Sequence, residues 1–337
     1  GTADVAAVSE GRPGLRQPNL RSGIGYPNGR NDSGPARLGR SGGSIWQSAA
    51  GAGIICESPH LSECTMTQGP QESPQLTVLG IFAHPDDEAF GSGGTLAELV
   101  QKGHRVTTVC ATNGDVGEIS DPALATPENL WQVRQGELRD AMAVTGISDV
   151  RFLGYRDSGM DGTPDNDNPA SMFRADAAKV EAQISAVMEE LTPDIVITHD
   201  PTGGYGHPDH VTVYQRTTAV VESMTVNRPL LYYVCFPRGN FKKLWQEMID
   251  AGITPPFAKE ALEDIGSPDD YVTTVRDVSD YVEIKKESLN HHKTQLDPNG
   301  PFSSLAPEFM NAWMSTEYFY LAQPSNGEPQ EDILADL

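Results

Sequence analysis

The chain has 337 residues, with 47 Asp and Glu against 24 Lys and Arg, and a formal net charge of −23. Residues 1–75 hold six Arg and six acids and are neutral, so 41 acids and 18 bases fall on the remainder. A body that acidic repels phosphate over most of its surface, which makes it a poor fit for nucleic acid or an anionic membrane, and the charge reads first as a source of solubility.

The length suffices for one large domain or two small ones with a sizeable core. No apolar run approaches the ~20 residues of a spanning helix, so no membrane insertion is expected. Cys110 and Cys235 lie in strand-like runs, Cys56 and Cys64 do not, and no Cys-x-x-Cys spacing occurs. Neither a zinc ribbon nor a thioredoxin-type pair is implied. The first residues also lack a basic region followed by an apolar one, so a cytoplasmic location is expected. Homo-oligomer formation is left open.

Residues 1–75 are rich in Gly, Pro, Ser and Arg without helical or strand periodicity, and read as a disordered or irregular leader. The first methionine is Met66, so the compact protein is expected to begin near it, as a single domain over 76–325 followed by an acidic tail over 326–337. Strand and helix patterns alternate from Leu76 onward. Leu76 to Ala83 is a buried strand between two prolines. A helix over Thr95 to Lys102 is stopped by Gly103, and His104 to Thr112 is a second strand. A helix from Glu128 to Thr145 stops at Gly146, and Val150 to Leu153 is a short third strand. The loop from Gly154 to Ser171 is long enough to be functional.

A helix over Arg174 to Leu191 leads into a strand at Asp194 to Thr198, a helix at His210 to Met224 and a strand at Pro229 to Phe236. This βαβ alternation predicts an α/β, Rossmann-like, mostly parallel sheet with helices on both faces. Helices near Asn240 to Ala251, Val282 to Gln295 and Leu305 to Trp313, with strands near Tyr271 to Val275 and Glu317 to Leu321, read as a C-terminal accessory layer.

Where the first strand stops, His84, Asp86, Asp87 and Glu88 crowd into five residues; Tyr205-Gly206-His207-Pro208-Asp209-His210 follows the fourth. Two such clusters at strand carboxyl ends can meet in the crevice of an open α/β sheet. His84 and Asp87 in one turn, with His210 from the other, make a two-His, one-carboxylate set that suits zinc and also iron(II). Asp86 faces away from that set and is the candidate base. A lone His-x-x-Asp turn is more often a capped helix start, and Glu88 is read that way, as a local cap or pair. Two His-Pro-Asp clusters together are harder to explain by capping. The run Gly91-x-Gly93-Gly94 looks faintly like a dinucleotide fingerprint, but its spacing is wrong and three acids sit where a pyrophosphate would approach. The glycines are expected instead to let the helix start pack closely.

Ala83-His84-Pro85-Asp86-Asp87-Glu88 followed by Gly203-Gly204-Tyr205-Gly206-His207-Pro208-Asp209-His210 resembles the LmbE-like, or PIG-L, family of zinc-dependent N-acetylglucosamine deacetylases, from about Val78 to Met224. The resemblance implies that His84, Asp87 and His210 hold Zn2+, with Fe2+ as the other candidate, and that Asp86 is the general base. It implies that His207, oriented by Asp209, is general acid or charge stabiliser, and that Tyr205 helps bind the oxyanion. Gly117-Glu118, Arg134-Gln135-Gly136-Glu137 and Arg156-Asp157-Ser158-Gly159-Met160 look most like the mycothiol-pathway deacetylases, which act on N-acetylglucosaminyl inositol. By that likeness Glu118, Arg134 and Asp157 contact a small-molecule glycoconjugate substrate. The plainer readings make Arg134 and Glu137 a surface helix pair and Asp157 a turn residue. His292-x-Thr294-Gln295 resembles a stretch recurring near the active site of this family, against a plainer reading of His292 as a satisfied helix-terminal histidine. The expectation is an amide hydrolase that deacetylates an N-acetylglucosaminyl conjugate. Its rivals are an amidase of the same family acting on mycothiol-type conjugates, a non-catalytic sugar-binding protein, and a nucleotide-binding domain.

Overall fold

A computed structural model describes residues 74–322 and 332–336. The predicted leader, with Cys56 and Cys64, and most of the acidic tail lie outside the described residues.

The chain alternates strand and helix, as the hydrophobic runs require. β1 (Thr77–Phe82), α1 (Asp87–Gln101), β2 (Arg105–Thr112), α2 (Leu130–Thr145) and β3 (Asp149–Tyr155) build one half of a sheet. α3 (Ala177–Leu191), β4 (Ile195–His199), a one-turn α4 (Gly203–Gly206), α5 (Pro208–Ser223) and β5 (Leu230–Cys235) build the other. There follow α6 (Arg238–Asp250), β6 (Thr274–Asp277), α7 (Val282–Asn290), α8 (Pro307–Met314), β7 (Thr316–Leu321) and the short α9 (Ile333–Asp336). The strand order is β3-β2-β1-β4-β5-β7-β6. The first five strands are mutually parallel, while β7 runs antiparallel to both β5 and β6. The C-terminal strands therefore extend the same sheet at one edge, and the later helices pack around it.

Two apolar layers sandwich the sheet. Val78, Phe82, Leu96, Leu99, Leu138 and Met142 pack on one face, and Leu79, Ile81, Val180, Ile184, Met188 and Val213 on the other. Alternate residues of β1 thus feed opposite layers, as a strand buried on both faces must. Cys110 and Cys235 are free and buried. Among the described residues no helix is long and apolar enough to cross a membrane.

The first helix differs from expectation, beginning at Asp87 rather than Thr95 and running straight through the glycine-rich stretch. The reason is close packing. A Cβ on Gly91 would fall 2.2 Å from Val234 Cγ1, and one on Gly94 2.6 Å from Val278 Cβ. Glu317 of β7 also accepts the main-chain N–H groups of Gly94 and Thr95, each at 2.8 Å, and pairs with Lys285 Nζ at 2.8 Å in full burial. Helix α7 stops at Asn290, so His291 to Gln295 form a separate connection beyond it.

Candidate active site

The carboxyl ends of β1 and β4 are neighbours in the sheet, and the residues that follow them meet in one buried cluster. From the β1 end, the turn Ala83 to Asp86 delivers His84 and Asp87. From the β4 end, the segment Asp200 to His207 returns to start α5, which carries His210 on its first turn. Three glycines allow this return. Gly203, Gly204 and Gly206 take φ of 61°, 70° and 85°, and a Cβ on Gly203 would lie 2.9 Å from that of His210. Asp200 pins the segment, accepting from the N–H groups of Thr202 and Gly204 and from the hydroxyls of Thr202 and Ser267.

His84, Asp87 and His210 converge as expected. His84 Nδ1 lies 3.0 Å from His210 Nε2 and 3.4 Å from Asp87 Oδ2, and His210 Nε2 lies 3.2 Å from Asp87 Oδ1. The other nitrogen of each ring faces an obligate acceptor. His84 Nε2 meets Asp209 Oδ2 at 3.1 Å, and His210 Nδ1 meets the Gly203 carbonyl at 3.1 Å. With those nitrogens donating, the lone pairs of His84 Nδ1 and His210 Nε2 point at each other beside a carboxylate. That arrangement is repulsive unless a positive charge stands between them. The His84–His210 and His210–Asp87 separations are also near the ~3.3 Å expected between ligand atoms about 2.0–2.1 Å from a four-coordinate cation, while His84 meets the other Asp87 oxygen. With one ligand atom per residue, the close sets that hold His210 are His84, His207 and His210, and Asp87, His199 and His210. The donor set therefore fits a divalent metal, and the acceptors behind the rings are those that orient metal-ligating imidazoles.

The electrostatics agree. Burial opposes a charge on His84, yet Asp157, Asp209 and Asp87 hold its pKa well above the usual imidazole range. Burial likewise opposes the Asp87 carboxylate, but His210 and His199 hold it well below its usual range. The cluster is built around positive charge at its centre.

Asp86 stands beside the set in a backbone conformation of φ 132°, ψ −26°, which L-residues rarely adopt. Its carboxylate makes no capping bond to α1. It accepts instead from Arg134 Nη2 at 3.2 Å. Burial pushes its pKa up to about 6, with Arg134 pulling it down and Asp87 adding to the rise. The Asp86 N–H donates to Glu88 Oε2 at 2.9 Å, while Glu88 Oε1 meets His292 Nε2 at 2.8 Å, both side chains fully buried. Glu88 is thus a local partner of Asp86 and a long-range partner of His292, which is buried at the site and not a helix terminus.

The second cluster departs in part from expectation. His207 does act as a cap: its Nδ1 accepts the Asp209 N–H at 3.2 Å at the start of α5. That bond leaves the proton of the neutral ring on Nε2. Burial, then His84 and His210, hold the His207 pKa well below its ordinary value. Asp209 orients His207 only through this main-chain bond. Its carboxylate serves His84 and accepts from the Ser158 hydroxyl and, at 2.9 Å, the Ser158 N–H. Tyr205 is half-exposed, its ring 5.2 Å from that of His210 and 6.2 Å from that of His207.

The three residues expected to contact substrate are placed very differently. Asp157 is a turn residue, its Oδ1 accepting the Gly159 N–H at 2.8 Å, and the same oxygen lies 3.5 Å from His84 Nε2 and 3.9 Å from His207 Nε2, so it also faces the site. Arg134 is buried and turned to the loop, donating to Pro85 O at 2.7 Å, Gly114 O at 2.8 Å and Asp86. It is no surface partner of Glu137, whose carboxylate takes the Thr294 N–H and hydroxyl. Glu118 has an exposed side chain, and its carbonyl accepts from Gln295 Nε2 at 2.9 Å.

Sequence reasoning missed His199, the last residue of β4. Its ring stacks on that of His210 at 4.1 Å, and its Nε2 accepts the Ala83 N–H at 2.9 Å. Burial and His210 lower its pKa to about 4, so the ring is a neutral acceptor. The available signal was Thr198-His199-Asp200, a third His-and-acid pair at a strand end.

The sheet and this cluster define an α/β protein whose carboxyl-edge crevice carries a donor set for a divalent cation with an extra carboxylate beside it. The family model described as PIG-L: GlcNAc-PI de-N-acetylase matches residues 79–221, spanning both clusters. The 1D-myo-inositol 2-acetamido-2-deoxy-alpha-D-glucopyranoside deacetylase of Geodermatophilus obscurus is 34% identical over 293 residues, covering 79% of this chain and 99% of its own. Its counterpart from Acidothermus cellulolyticus is 35% identical over 279 residues, covering 77% and 95%. The chain belongs to the PIG-L family. Among solved structures, an N,N'-diacetylchitobiose deacetylase from Pyrococcus horikoshii aligns with TM-score 0.49 and 22% identity over 73% of this chain and 83% of that one.

Proposed function

We propose that this protein is a metal-dependent amide hydrolase that removes the acetyl group from an N-acetylglucosaminyl conjugate such as N-acetylglucosaminyl inositol, giving a free amine and acetate. The observation that carries the reading is that the lone pairs of His84 and His210 face each other beside the Asp87 carboxylate, with the strained Asp86 next to them. The curated relatives, which match nearly their whole lengths, carry deacetylase names.

His84, Asp87 and His210 would hold zinc or iron(II). Bound there, the cation supplies Lewis acidity toward a carbonyl oxygen and toward water. The remaining work falls to the chain. Asp86, with a pKa of about 6, is ionised in most molecules at neutral pH, so it can take the proton of the attacking water. As the C–N bond breaks, the proton held on Asp86 can pass to the departing amine. His207, neutral with its hydrogen on Nε2, acts as a hydrogen-bond donor to the developing oxyanion more readily than as a cationic acid. Tyr205 offers a second donor from the open side. His199, Asp209 and Ser158 act through the residues they hold, Ser158 also accepting the Phe173 N–H on its hydroxyl at 2.9 Å, and are positioning groups.

The test is release of primary amine and acetate from N-acetylglucosaminyl inositol by enzyme loaded with a defined metal. Asp86→Asn is expected to keep its metal and lose about 10²–10⁴-fold in kcat. Deacetylation by that variant at the wild-type rate overturns the base assignment, and no turnover by fully metal-loaded wild type overturns the substrate class.

A further inference from the structure

The segment that returns from β4 to α5 takes its path because Gly203, Gly204 and Gly206 are conformationally free, and the same freedom means that it does not hold itself. Within the one-turn α4, Gly204 (φ 70°, ψ −64°) and Tyr205 (φ −127°, ψ 18°) leave helical geometry. Tyr205 is 48% exposed, so its pose is inherited from the main chain before it more than from packing around its ring. What fixes that main chain comes from elsewhere in the sequence. The Gly204 N–H donates to Asp200 Oδ1 at 3.2 Å, and the Gly204 carbonyl accepts the Gly266 N–H at 2.8 Å. That carbonyl shares its peptide plane with the Tyr205 nitrogen. Asp200 is fixed in turn by the Ser267 hydroxyl, which donates to its Oδ2 with both side chains buried.

Residues 265–267 are built to reach this point. The Ser267 N–H donates to Phe236 O at 2.9 Å and the Arg238 N–H to Ser267 O at 2.8 Å, so the turn is laced to the chain that leaves β5. The Arg238 side chain donates from Nε to Ile265 O at 3.2 Å and from Nη2 to Gly266 O at 3.3 Å. Gly266 has φ 72°, and a Cβ there would fall 2.4 Å from Phe236 O, so no other residue brings this N–H to Gly204 without displacing the chain at Phe236.

We infer that Ser267 and Gly266 are positioning residues for Tyr205 in the deacetylation: they hold the main chain on both sides of Gly204, and thereby the direction in which the Tyr205 side chain leaves it. This rests on the deacetylase reading above, in which Tyr205 is a donor to the developing oxyanion.

The test is a double-mutant cycle on metal-loaded enzyme. Ser267→Ala leaves Asp200 Oδ2 without its donor and is expected to lower kcat for N-acetylglucosaminyl inositol about tenfold, with KM and metal content within about twofold. Tyr205→Phe should lose about 10²-fold by itself. In the Tyr205→Phe background Ser267→Ala should then cost less than about twofold, because the hydroxyl it positions is gone. Asp200→Asn, whose amide can donate to the Ser267 oxygen, should retain most of kcat. Equal losses from Ser267→Ala in both backgrounds, or no loss in wild type, overturn the positioning role. If Ser267→Ala does not fold, Ser267→Cys, which keeps a weaker donor at the same place, enters the same cycle. Amide hydrogen exchange reads the clamp without turnover. The peptide over residues 200–207 should exchange about tenfold faster in Ser267→Ala while β5 is unchanged, and unchanged exchange over 200–207 overturns the proposal. If fully metal-loaded wild type releases no amine, the deacetylase reading fails by itself, and the exchange result still decides whether the clamp holds the segment.

Discussion

His292→Ala removes a side chain that comes 204 residues after its partner and is closed off from solvent. The imidazole is the partner of Glu88 Oε1 at 2.8 Å, and without it the buried carboxylate keeps only the Asp86 N–H at 2.9 Å. Deleting one member of a buried pair costs about 3–5 kcal/mol, a large part of the ~5–15 kcal/mol that holds a domain folded. The consequence for chemistry follows from Asp86. A non-glycine residue at φ 132° carries strain of order 1–3 kcal/mol. The bond from its N–H to a charged acceptor contributes about 1.5–3 kcal/mol, so the two are matched. Once Glu88 turns away, Asp86 keeps the Arg134 bond to its carboxylate and the Ala89 N–H on its carbonyl to hold its pose. A loss of about 1.4–2.8 kcal/mol in the population of that pose is a 10–100-fold loss of kcat. KM should stay within about twofold, because neither His292 nor Glu88 is placed to touch substrate. Initial rates of amine release, read with metal content and a denaturant titration on one preparation, make the measurement. His292→Gln, which keeps an N–H donor, should restore most of kcat. A His292→Ala protein that denatures earlier but, with metal bound, turns over within about twofold of wild type refutes the positioning role.

Chelation should lower the wild-type Tm by several degrees and leave His84→Ala and His210→Ala unchanged, since a cation that binds only the folded state stabilises it by mass action; equal shifts in all three would count against these ligands. Lys285→Met, which leaves Glu317 buried without its ammonium, should cost about 3–5 kcal/mol in denaturant titrations. Paired with Glu317→Gln it should be far from additive, and an additive double mutant would mean the pair does not act as a unit. His104 Nδ1 accepts the Leu76 N–H at 3.1 Å, and burial together with Lys102 lowers its pKa from the usual 6.5. The folded state then binds fewer protons than the unfolded one, so stability falls as pH drops from about 6.5 through the folded value. His104→Gln should flatten that slope, and an unchanged pH profile would exclude His104 as its source.

The parts of this site legible in the sequence are those carried by density and position. Four ligand-type residues directly after an apolar run have few structural uses, and a second cluster after another run gives them a partner, so His84, Asp87 and His210 could be read together. The alternation of runs likewise gave the parallel core. Pairing at the C-terminal edge was not legible, because a strand such as Thr316–Leu321 looks the same whether it adds to the main sheet or packs on it. The start of α1 was hidden for a different reason. Three glycines among four residues each cost a helix about 1 kcal/mol. They are tolerated because Val234 and Val278 press on the helix and Glu317 takes two of its N–H groups.

Arg134, Asp209 and His292 share one feature that the sequence did not reveal, and it bears on how the site works. Each is a polar side chain whose partners come from remote segments: Pro85 and Gly114 carbonyls for Arg134, His84 and Ser158 for Asp209, Glu88 for His292. A helical or strand pattern reports whether a position faces inward only when the residue is apolar; a charged residue satisfied in the interior is indistinguishable from one on the surface. These are the residues that fix the set read from the motifs, through the ring of His84 and the backbone of Asp86. Motif residues can therefore be present in a chain and still be inert. The C-terminal segment reaches the site through His292, whose partner Glu88 takes the Asp86 N–H, so the strained pose of the proposed base rests in part on a residue 204 positions beyond Glu88.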